Sequence, residues 1–225
     1  LGIHYVTINL LASALFLIGL GMIYGSVGSL NMTDVARLMP KLENDQHKIA
    51  VAGALLLFVV FGIKAAMLPV GFWLPKTYAV ATTPVAALFT IMTKVGIYAI
   101  LRVNGTVFDD EYSHQILMNC LMVIGLITSL YGAVAAIGTD RLRRFIGFML
   151  LSSVGTILIA IALNNSAAWA GGLYYMVHST LIGAAFYILC GWITSQRGEF
   201  KDHFKIAPQM KQNKLVSIVY FIIAL

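Results

Sequence analysis

The chain has 225 residues, of which 60% are hydrophobic and 11% are charged, and its mean hydropathy is +0.87. This composition excludes a soluble globular protein and is typical of a protein that crosses a membrane several times. The formal net charge of +6 does not indicate a nucleic-acid-binding protein, because the basic residues lie mostly in short segments between apolar runs.

Six apolar runs are long enough to cross a hydrocarbon core of about 30 Å, which takes about 20 helical residues. They cover approximately residues 3–29, 49–74, 83–103, 115–138, 145–163 and 168–194, and a shorter seventh run covers 215–225. Backbone polar groups in lipid must be paired within their own segment. We therefore predict an all-α fold, a polytopic membrane helix bundle with about six full transmembrane helices and a truncated seventh. We expect the chain, 1–225, to be one transmembrane domain and a central fragment of a longer subunit.

The segment between the first two runs has its own pattern. Apolar residues recur there at helical spacing before Pro40 and a polar stretch interrupt them: Met32, Val35, Leu38, Met39 and Leu42. The pattern predicts a short helix at the membrane interface.

The second run contains both a lysine and a proline. Pro69 cannot donate a hydrogen bond to the carbonyl of Ala65, so we predict that the helix kinks or breaks one turn after Lys64. Broken helices beside ionisable groups are a recurring way to build ion sites in transporters.

Three ionisable residues, Lys64, Lys94 and His178, lie near the centres of separate runs. Such residues are costly in lipid and usually mark an ion or proton path, so we predict that these three translocate protons. A structural alternative remains open for each residue. Lys64 could cap the carbonyls that Pro69 frees, Lys94 could extend to the membrane surface, and His178 could be a hydrogen-bonded residue of the core. Polar residues at helical spacing or adjacent in sequence are predicted to support the path: Thr90 and Tyr98 around Lys94, and Tyr174, Ser179 and Thr180 around His178.

All nine acidic residues lie outside the runs, so we expect the counter-charge of Lys64 to come from outside this chain. The sequence contains no phosphate-binding loop, dinucleotide fingerprint, CxxC, HExxH or serine nucleophile motif. We therefore predict no catalytic residues, no metal site and no cofactor, and a chain that is not an enzyme by itself.

Lysine and arginine are distributed unequally between alternate loops. The segments 30–48, 102–114 and 164–167 hold four of them, whereas 75–82, 139–144 and 195–214 hold nine. The positive-inside rule predicts that the second set of loops is cytoplasmic.

Four ordered motifs resemble the antiporter-like subunits shared by Mrp-type monovalent cation/proton antiporters and respiratory complex I. They are FGIKAAMLPVGFWLP (61–75), TPVAALFTIMTKVGIYAILR (83–102), TDRLRRFIGFMLLSSVG (139–155) and YYMVHSTLIGAAFYILCG (174–191). The first looks like the family's lysine-bearing broken helix and the second like the helix that follows it. The resemblance covers nearly the whole chain.

The resemblance implies a role for each ionisable residue. Lys64 matches the central proton-carrying lysine, Lys94 a connecting lysine, and His178 a connecting histidine towards a second half-channel. It also implies that a glutamate upstream of Leu1 pairs with Lys64 and that a further ionisable residue lies beyond Leu225. The resemblance thus implies a membrane subunit of a multisubunit Na⁺(K⁺)/H⁺ antiporter in the bacterial cell membrane, with other subunits of the complex as partners.

Two positions depart from the common family pattern. Ser153 stands where some members carry histidine, and Gly183 stands where many carry lysine, which weakens the polar chain on the C-terminal side. The variant H-S-T-L without that lysine is most similar to the D-type subunits of Mrp/Pha antiporters. An alternative from another class remains open, a proton-pumping subunit of a complex I-like oxidoreductase or a membrane-bound hydrogenase.

Overall fold

The computed structural model describes residues 2–107, 111–206 and 210–224. Within these ranges the chain forms nine α-helices and no strand longer than an isolated bridge. In chain order they are α1 (Gly2–Val27), α2 (Met32–Leu38), α3 (Asn44–Ala65), α4 (Trp73–Val80), α5 (Thr83–Val107), α6 (Glu111–Ile137), α7 (Leu142–Ala162), α8 (Ser166–Gln196) and α9 (Asn213–Ala224). Three short 3₁₀ segments lie at Met39–Lys41, Val70–Phe72 and Gly198–Phe200.

Six stretches of the described chain are long and apolar enough to cross a membrane, and α9 is a shorter apolar helix. Helices α3 and α4 together form one of the six, interrupted between Ala65 and Val70. The predicted all-α membrane bundle with a broken helix and a short seventh apolar helix is confirmed.

The segment that links α1 to α3 contains the predicted short helix, α2. Asn31 caps its N-terminus, because its side-chain oxygen accepts a hydrogen bond from the Thr33 backbone nitrogen at 3.0 Å. Val35 and Met39 are buried against α1, α3 and α5, which fixes α2 on one end of the bundle.

The helices pack in a continuous series. α1 lies against α3, α3 against α5, α5 against α8, α8 against α7, and α7 against both α4 and α6. The contact between α6 and α7 is close because glycines face it: a Cβ on Gly155 would lie 2.3 Å from the Ser129 nitrogen. Small residues of this kind let membrane helices approach to backbone contact.

The interior has two main apolar clusters, and the chain passes from one to the other at the interruption. Ala65, at the end of α3, belongs to the cluster that includes Leu57 and Ile97. Ala66, the next residue, belongs to the cluster around Tyr78 and Tyr187. The interruption therefore lies between the two clusters, inside the protein.

Three segments that are predicted to lie on the same side of the membrane meet at one end of the bundle: 75–82, 139–144 and 195–214. The Leu142 nitrogen donates to the Asp202 carbonyl at 2.8 Å, and the Arg143 guanidinium donates to the Ala81 carbonyl at 2.6 Å. The description of 75–82 as a loop is wrong, because residues 75–80 continue the regular hydrogen-bonded turns of α4. That this end faces the cytoplasm remains a prediction.

Candidate functional site

The interruption begins directly after the lysine of α3. The Met67 nitrogen donates to the Gly62 carbonyl at 3.0 Å and the Ala66 nitrogen to the Ile63 carbonyl at 3.2 Å. Ala66 adopts the left-handed conformation, with φ of 59°. This is the Schellman arrangement that ends a helix, formed here around alanine in place of the usual glycine.

The prediction that Pro69 sets the break one turn after Lys64 therefore needs correction. Helix α3 has already ended at Ala65, and Pro69 lies in the connecting segment, just before the 3₁₀ turn. The physical reason is that the reversal at Ala66 redirects the backbone before the missing N–H of Pro69 has any effect on the helix.

Side chains from other positions form further hydrogen bonds to backbone groups at the break. The Trp73 indole nitrogen donates to the Ile63 carbonyl at 3.1 Å, and the Leu68 nitrogen donates to the Thr128 hydroxyl of α6 at 3.1 Å. Gly71 is required here, because a Cβ at this position would lie 2.0 Å from the Ala66 carbonyl oxygen. The break is thus a paired and closely packed structure, as non-helical backbone at membrane depth must be.

Lys64 is half-buried in the last turn of α3 and contacts a neutral side chain. Its ammonium nitrogen donates to the Asn9 side-chain oxygen of α1. The Asn9 amide nitrogen in turn donates to the Tyr5 carbonyl at 2.9 Å, which orients the amide oxygen towards the lysine. A cation in the last turn of a helix also interacts favourably with the helix dipole.

Lys94 lies in the middle of α5 and is almost fully buried, with 4% of its surface exposed. Its ammonium nitrogen donates to the Ser153 hydroxyl of α7 at 3.2 Å, and that hydroxyl donates to the Leu150 carbonyl at 2.7 Å. Extension to the membrane surface, the structural alternative for this lysine, is therefore excluded by the geometry of this chain.

The two lysine-bearing helices touch each other close to both lysines. A Cβ on Gly96 of α5 would lie 2.6 Å from the Ala65 nitrogen and 3.0 Å from the Phe61 carbonyl oxygen. Since Ala65 follows Lys64 and Gly96 is two residues from Lys94, this contact sets both lysines at one level of the bundle.

The ion pairs that join one described residue to another lie elsewhere, at the ends of the bundle. They link Arg37 to Asp34 and Lys48 to Asp45, and the His203 ring lies 3.6 Å from the Asp140 carboxylate. Within the described part of the chain, the side chain that accepts from each buried lysine is neutral. The side chains of three acidic residues, Asp109, Asp110 and Glu111, lie outside the part of the chain that the structure describes.

His178 is half-buried on α8. Its ring stacks on Tyr174 at 6.0 Å between ring centres, and Tyr174 is itself 74% exposed. The Ser179 and Thr180 hydroxyls donate to the Met176 carbonyl, within their own helix. No hydrogen bond among the described residues joins His178 to Lys94.

The polar stripe predicted along α5 is only partly internal. Thr90 is fully buried, and its hydroxyl donates to the Ala87 carbonyl and lies 3.4 Å from the Thr180 carbonyl of α8. Tyr98 is 55% exposed. Each step of four residues rotates the side-chain direction by about 40° around the helix axis, so Tyr98, two such steps after Thr90, points away from the interior.

Gly183 contacts α7 where the family resemblance expects a lysine. A Cβ there would lie 2.6 Å from the Leu150 side chain, so Leu150 fills the space that a larger residue would need. Since Ser153 donates to the carbonyl of the same Leu150, the two departures from the family pattern lie side by side around one residue.

Sequence reasoning missed three residues of this site: Asn9, Thr128 and Trp73. Asn9 gave the clearest signal, because an amide inside an apolar run needs a partner in lipid. The bonds from Lys64 to Asn9 and from Leu68 to Thr128 span 55 and 60 residues, so no local spacing predicts them.

These observations define a class: a polytopic α-helical membrane protein with a broken helix and two lysines held in its interior by neutral side chains. The chain belongs to the family described as NADH:quinone oxidoreductase/Mrp antiporter, transmembrane, which it matches over residues 2–225.

Relatives and solved structures agree with this assignment. The chain is 42% identical over 190 residues to the D-type subunit of a probable K⁺/H⁺ antiporter of Rhizobium meliloti strain 1021, covering 84% of this chain and 35% of that protein. It is 30% identical over 226 residues to the D-type subunit of a Na⁺/H⁺ antiporter of Bacillus subtilis strain 168, covering 99% of this chain and 44% of that protein. The chain thus spans less than half the length of these relatives.

The fold matches a chain of the Mrp complex from Dietzia sp. DQ12-45-1b with a TM-score of 0.82 and 28% identity, over 98% of this chain and 40% of that one. It also matches a chain of an archaeal membrane-bound sulfane sulfur reductase with a TM-score of 0.81. At 22% identity over 98% of this chain and 45% of the other, the second likeness concerns the fold alone.

Proposed function

We propose that this chain is the central part of a D-type subunit of a multisubunit monovalent cation/proton antiporter, a secondary transporter and not an enzyme. The relatives at 42% and 30% identity are D-type subunits of K⁺/H⁺ and Na⁺/H⁺ antiporters by name. In this proposal the chain contributes a single transmembrane domain that relays protons, and Na⁺ or K⁺ is the exchanged cation.

The burial of Lys94 against Ser153 is the observation that carries the proposal. A buried ammonium group without a carboxylate partner is costly, and such residues in membrane helices are usually functional. Lys64 adds a second amine at the same level of the bundle, with Asn9 as its partner. We propose that a proton passes between these two lysines across the contact of α3 with α5.

His178 is proposed to continue the path on the side of α8. Thr90 supports this step, because its hydroxyl lies between its own helix and the Thr180 carbonyl of α8. Tyr174 lies at the outer side of the same face, in contact with the His178 ring. At Gly183 an apolar side chain, that of Leu150, lies 2.6 Å from where a Cβ would be, so this part of the proposed path has no room for a larger polar residue.

The proposed setting is the bacterial cell membrane, within a complex of several different subunits. The Dietzia structure is of an Mrp complex, and the described helices carry many exposed apolar residues suited to lipid or to neighbouring subunits. The alternative, a proton-pumping subunit of a redox complex, has less support, because the match to the sulfane sulfur reductase concerns the fold alone.

Dissipation of a pH gradient on addition of Na⁺ or of K⁺ tests the proposal, in vesicles from antiporter-deficient cells that carry the full set of subunit genes. Lys64→Ala and Lys94→Arg are each expected to abolish exchange, the second because arginine keeps its proton at all relevant pH values. Lys76→Ala is the matched control, since Lys76 is an exposed lysine on α4. Wild-type exchange in both lysine variants, at equal abundance of the complex, would refute the proton path; a wild-type complex that exchanges neither Na⁺ nor K⁺ would refute the antiporter.

A further inference from the structure

The break between α3 and α4 is bonded to a helix that otherwise packs mainly on α7. Thr128 of α6 is fully buried, and its hydroxyl accepts the hydrogen bond from the Leu68 nitrogen at 3.1 Å. The same hydroxyl donates to the Ile124 carbonyl at 2.6 Å. Because its single hydrogen is used within α6, the hydroxyl presents only acceptor lone pairs to the break.

A second contact joins the same two elements. The Phe72 ring packs edge-on against the Tyr131 ring, 5.4 Å apart between ring centres. Tyr131 lies three residues after Thr128, so the two contacts follow one face of α6. The break is therefore attached to α6 at Leu68, near its start, and at Phe72, near its end.

The Leu68 amide lies close to the turn that ends α3. Leu68 follows Met67, whose nitrogen completes the helix-ending turn on the Gly62 carbonyl. A second side chain, the Trp73 indole, donates to the Ile63 carbonyl, one residue before Lys64. Loss of the Thr128 bond would leave the indole as the remaining one of these two side-chain bonds to the turn.

We propose that Thr128 is a positioning residue for the lysine of the broken helix. By binding the Leu68 amide it fixes the turn after Lys64, and so the direction from which the Lys64 amine meets Asn9. The inference rests on the proposed function in one respect, namely that this amine carries the transported proton. It gives α6 a part in the site through the Thr128 hydroxyl and the Tyr131 ring.

Amide hydrogen exchange, read at single-residue resolution in the purified complex, tests the attachment directly. Thr128→Val removes the hydroxyl at constant size and is expected to accelerate exchange of the Leu68 amide about two- to tenfold, the equilibrium equivalent of one net hydrogen bond. Thr128→Ser should exchange like wild type. The control is Thr156→Val, because the exposed Thr156 hydroxyl makes the same bond to a carbonyl four residues earlier, that of Ser152.

Cation-dependent proton exchange in vesicles tests the positioning. Thr128→Val is expected to lower the maximal rate several-fold while leaving the apparent KM for the exchanged cation, Na⁺ or K⁺, unchanged, and Thr128→Ser should restore the rate. A Leu68 amide that exchanges at the wild-type rate in Thr128→Val would overturn the attachment. Faster exchange with an undiminished transport rate would overturn the positioning role.

The two proposals fail separately. If the wild-type complex exchanges no cation, the antiporter proposal fails, while hydrogen exchange at the Leu68 amide still decides whether Thr128 holds the break.

If Thr128→Val does not assemble, Thr128→Cys replaces it, since a thiol is a weak acceptor of similar size. Its Leu68 amide is expected to exchange faster than in Thr128→Ser, and a wild-type rate would again overturn the attachment.

Discussion

Gly96→Ala offers a direct test of whether the contact between α3 and α5 sets the positions of the two lysines. The added Cβ would lie 2.6 Å from the Ala65 nitrogen, whereas ordinary van der Waals contact begins near 3.4 Å. The helices must therefore separate locally by about 0.8 Å, the difference between these two distances. Backbone atoms form the opposite wall, so no flexible side chain can yield instead.

Two consequences of this displacement can be estimated. Overpacking of a close contact costs about 1–3 kcal/mol, partly offset by the gain of roughly 0.5–1 kcal/mol when alanine replaces glycine in a helix. We expect the free energy of unfolding to fall by about 1–2 kcal/mol. A misplacement of about 1 Å between reacting groups can cost about 100-fold in rate, so a loss of roughly tenfold or more in exchange rate is expected here.

Gly105→Ala is the matched control, because Gly105 lies on the same helix and a Cβ there would meet no atom within 4 Å. This variant should be as stable as wild type or slightly more stable, with an unchanged exchange rate. The assays are unfolding in mixed micelles and the vesicle exchange measurement at equal protein abundance. If Gly96→Ala behaves like Gly105→Ala in both, the contact does not set the lysine positions and the reasoning is refuted.

Three further predictions use other contacts of the structure. Asn9→Leu removes the partner of the α3 lysine and should reduce vesicle exchange at least several-fold; an unchanged rate would exclude Asn9 from the path. Arg143→Leu loses the hydrogen bonds to Ala81 and Thr83 in the α4–α5 turn and should lower the free energy of unfolding, measured in mixed micelles, by roughly 1–2 kcal/mol. The control is Arg144→Leu, at an exposed neighbouring position, which should change it by less than about 0.5 kcal/mol. In a cysteine-free background, Asn164→Cys should react with an impermeant maleimide from outside the cell and Thr139→Cys only after permeabilisation; the reverse pattern would invert the predicted orientation.

The sequence predicts the membrane helices of this chain well because lipid leaves few alternatives. A helix is the only way for a single segment to pair its backbone in hydrocarbon, so length and hydropathy suffice to place six spans. The same reasoning identifies Lys94 as a candidate functional residue, because a lysine in the middle of a membrane span is costly and is usually retained for function. The short helix α2 was also predictable, since its apolar spacing and the N-cap Asn31 are local signals.

The details of the site depend on contacts that no local pattern encodes. Proline is the strongest helix-breaking signal in the second run, yet the helix ends before it, around Ala66 in a conformation that alanine seldom adopts. Partners that come from elsewhere in the chain stabilise the turn there: the Trp73 indole, the Thr128 hydroxyl and the closely packed Gly71. The amide of Asn9 inside an apolar run indicates that a partner is needed, but the identity of that partner, Lys64 of another helix, is set only by folding.

Lys64 and Lys94 occupy different electrostatic positions, and this difference leads to a last prediction. Lys64 lies where a helix ends, so the dipole of α3 and the oriented Asn9 amide both favour a cation there. Lys94 lies in the middle of α5, away from either end of the helix dipole, and its ammonium group donates to the neutral Ser153 hydroxyl.

Burial of an ammonium group against a neutral partner is costly, and methionine is an apolar residue of similar size, so Lys94→Met should leave the free energy of unfolding unchanged or raise it by about 1 kcal/mol. Lys64→Met should lower it by roughly 1 kcal/mol, because it removes the dipole interaction and leaves the Asn9 oxygen unpaired. Unfolding of the two variants in mixed micelles measures the difference. Equal losses of stability would mean that Lys94 also serves the fold, whereas a Lys94→Met protein that is stable but inactive in exchange would show that the bundle holds this lysine for transport alone.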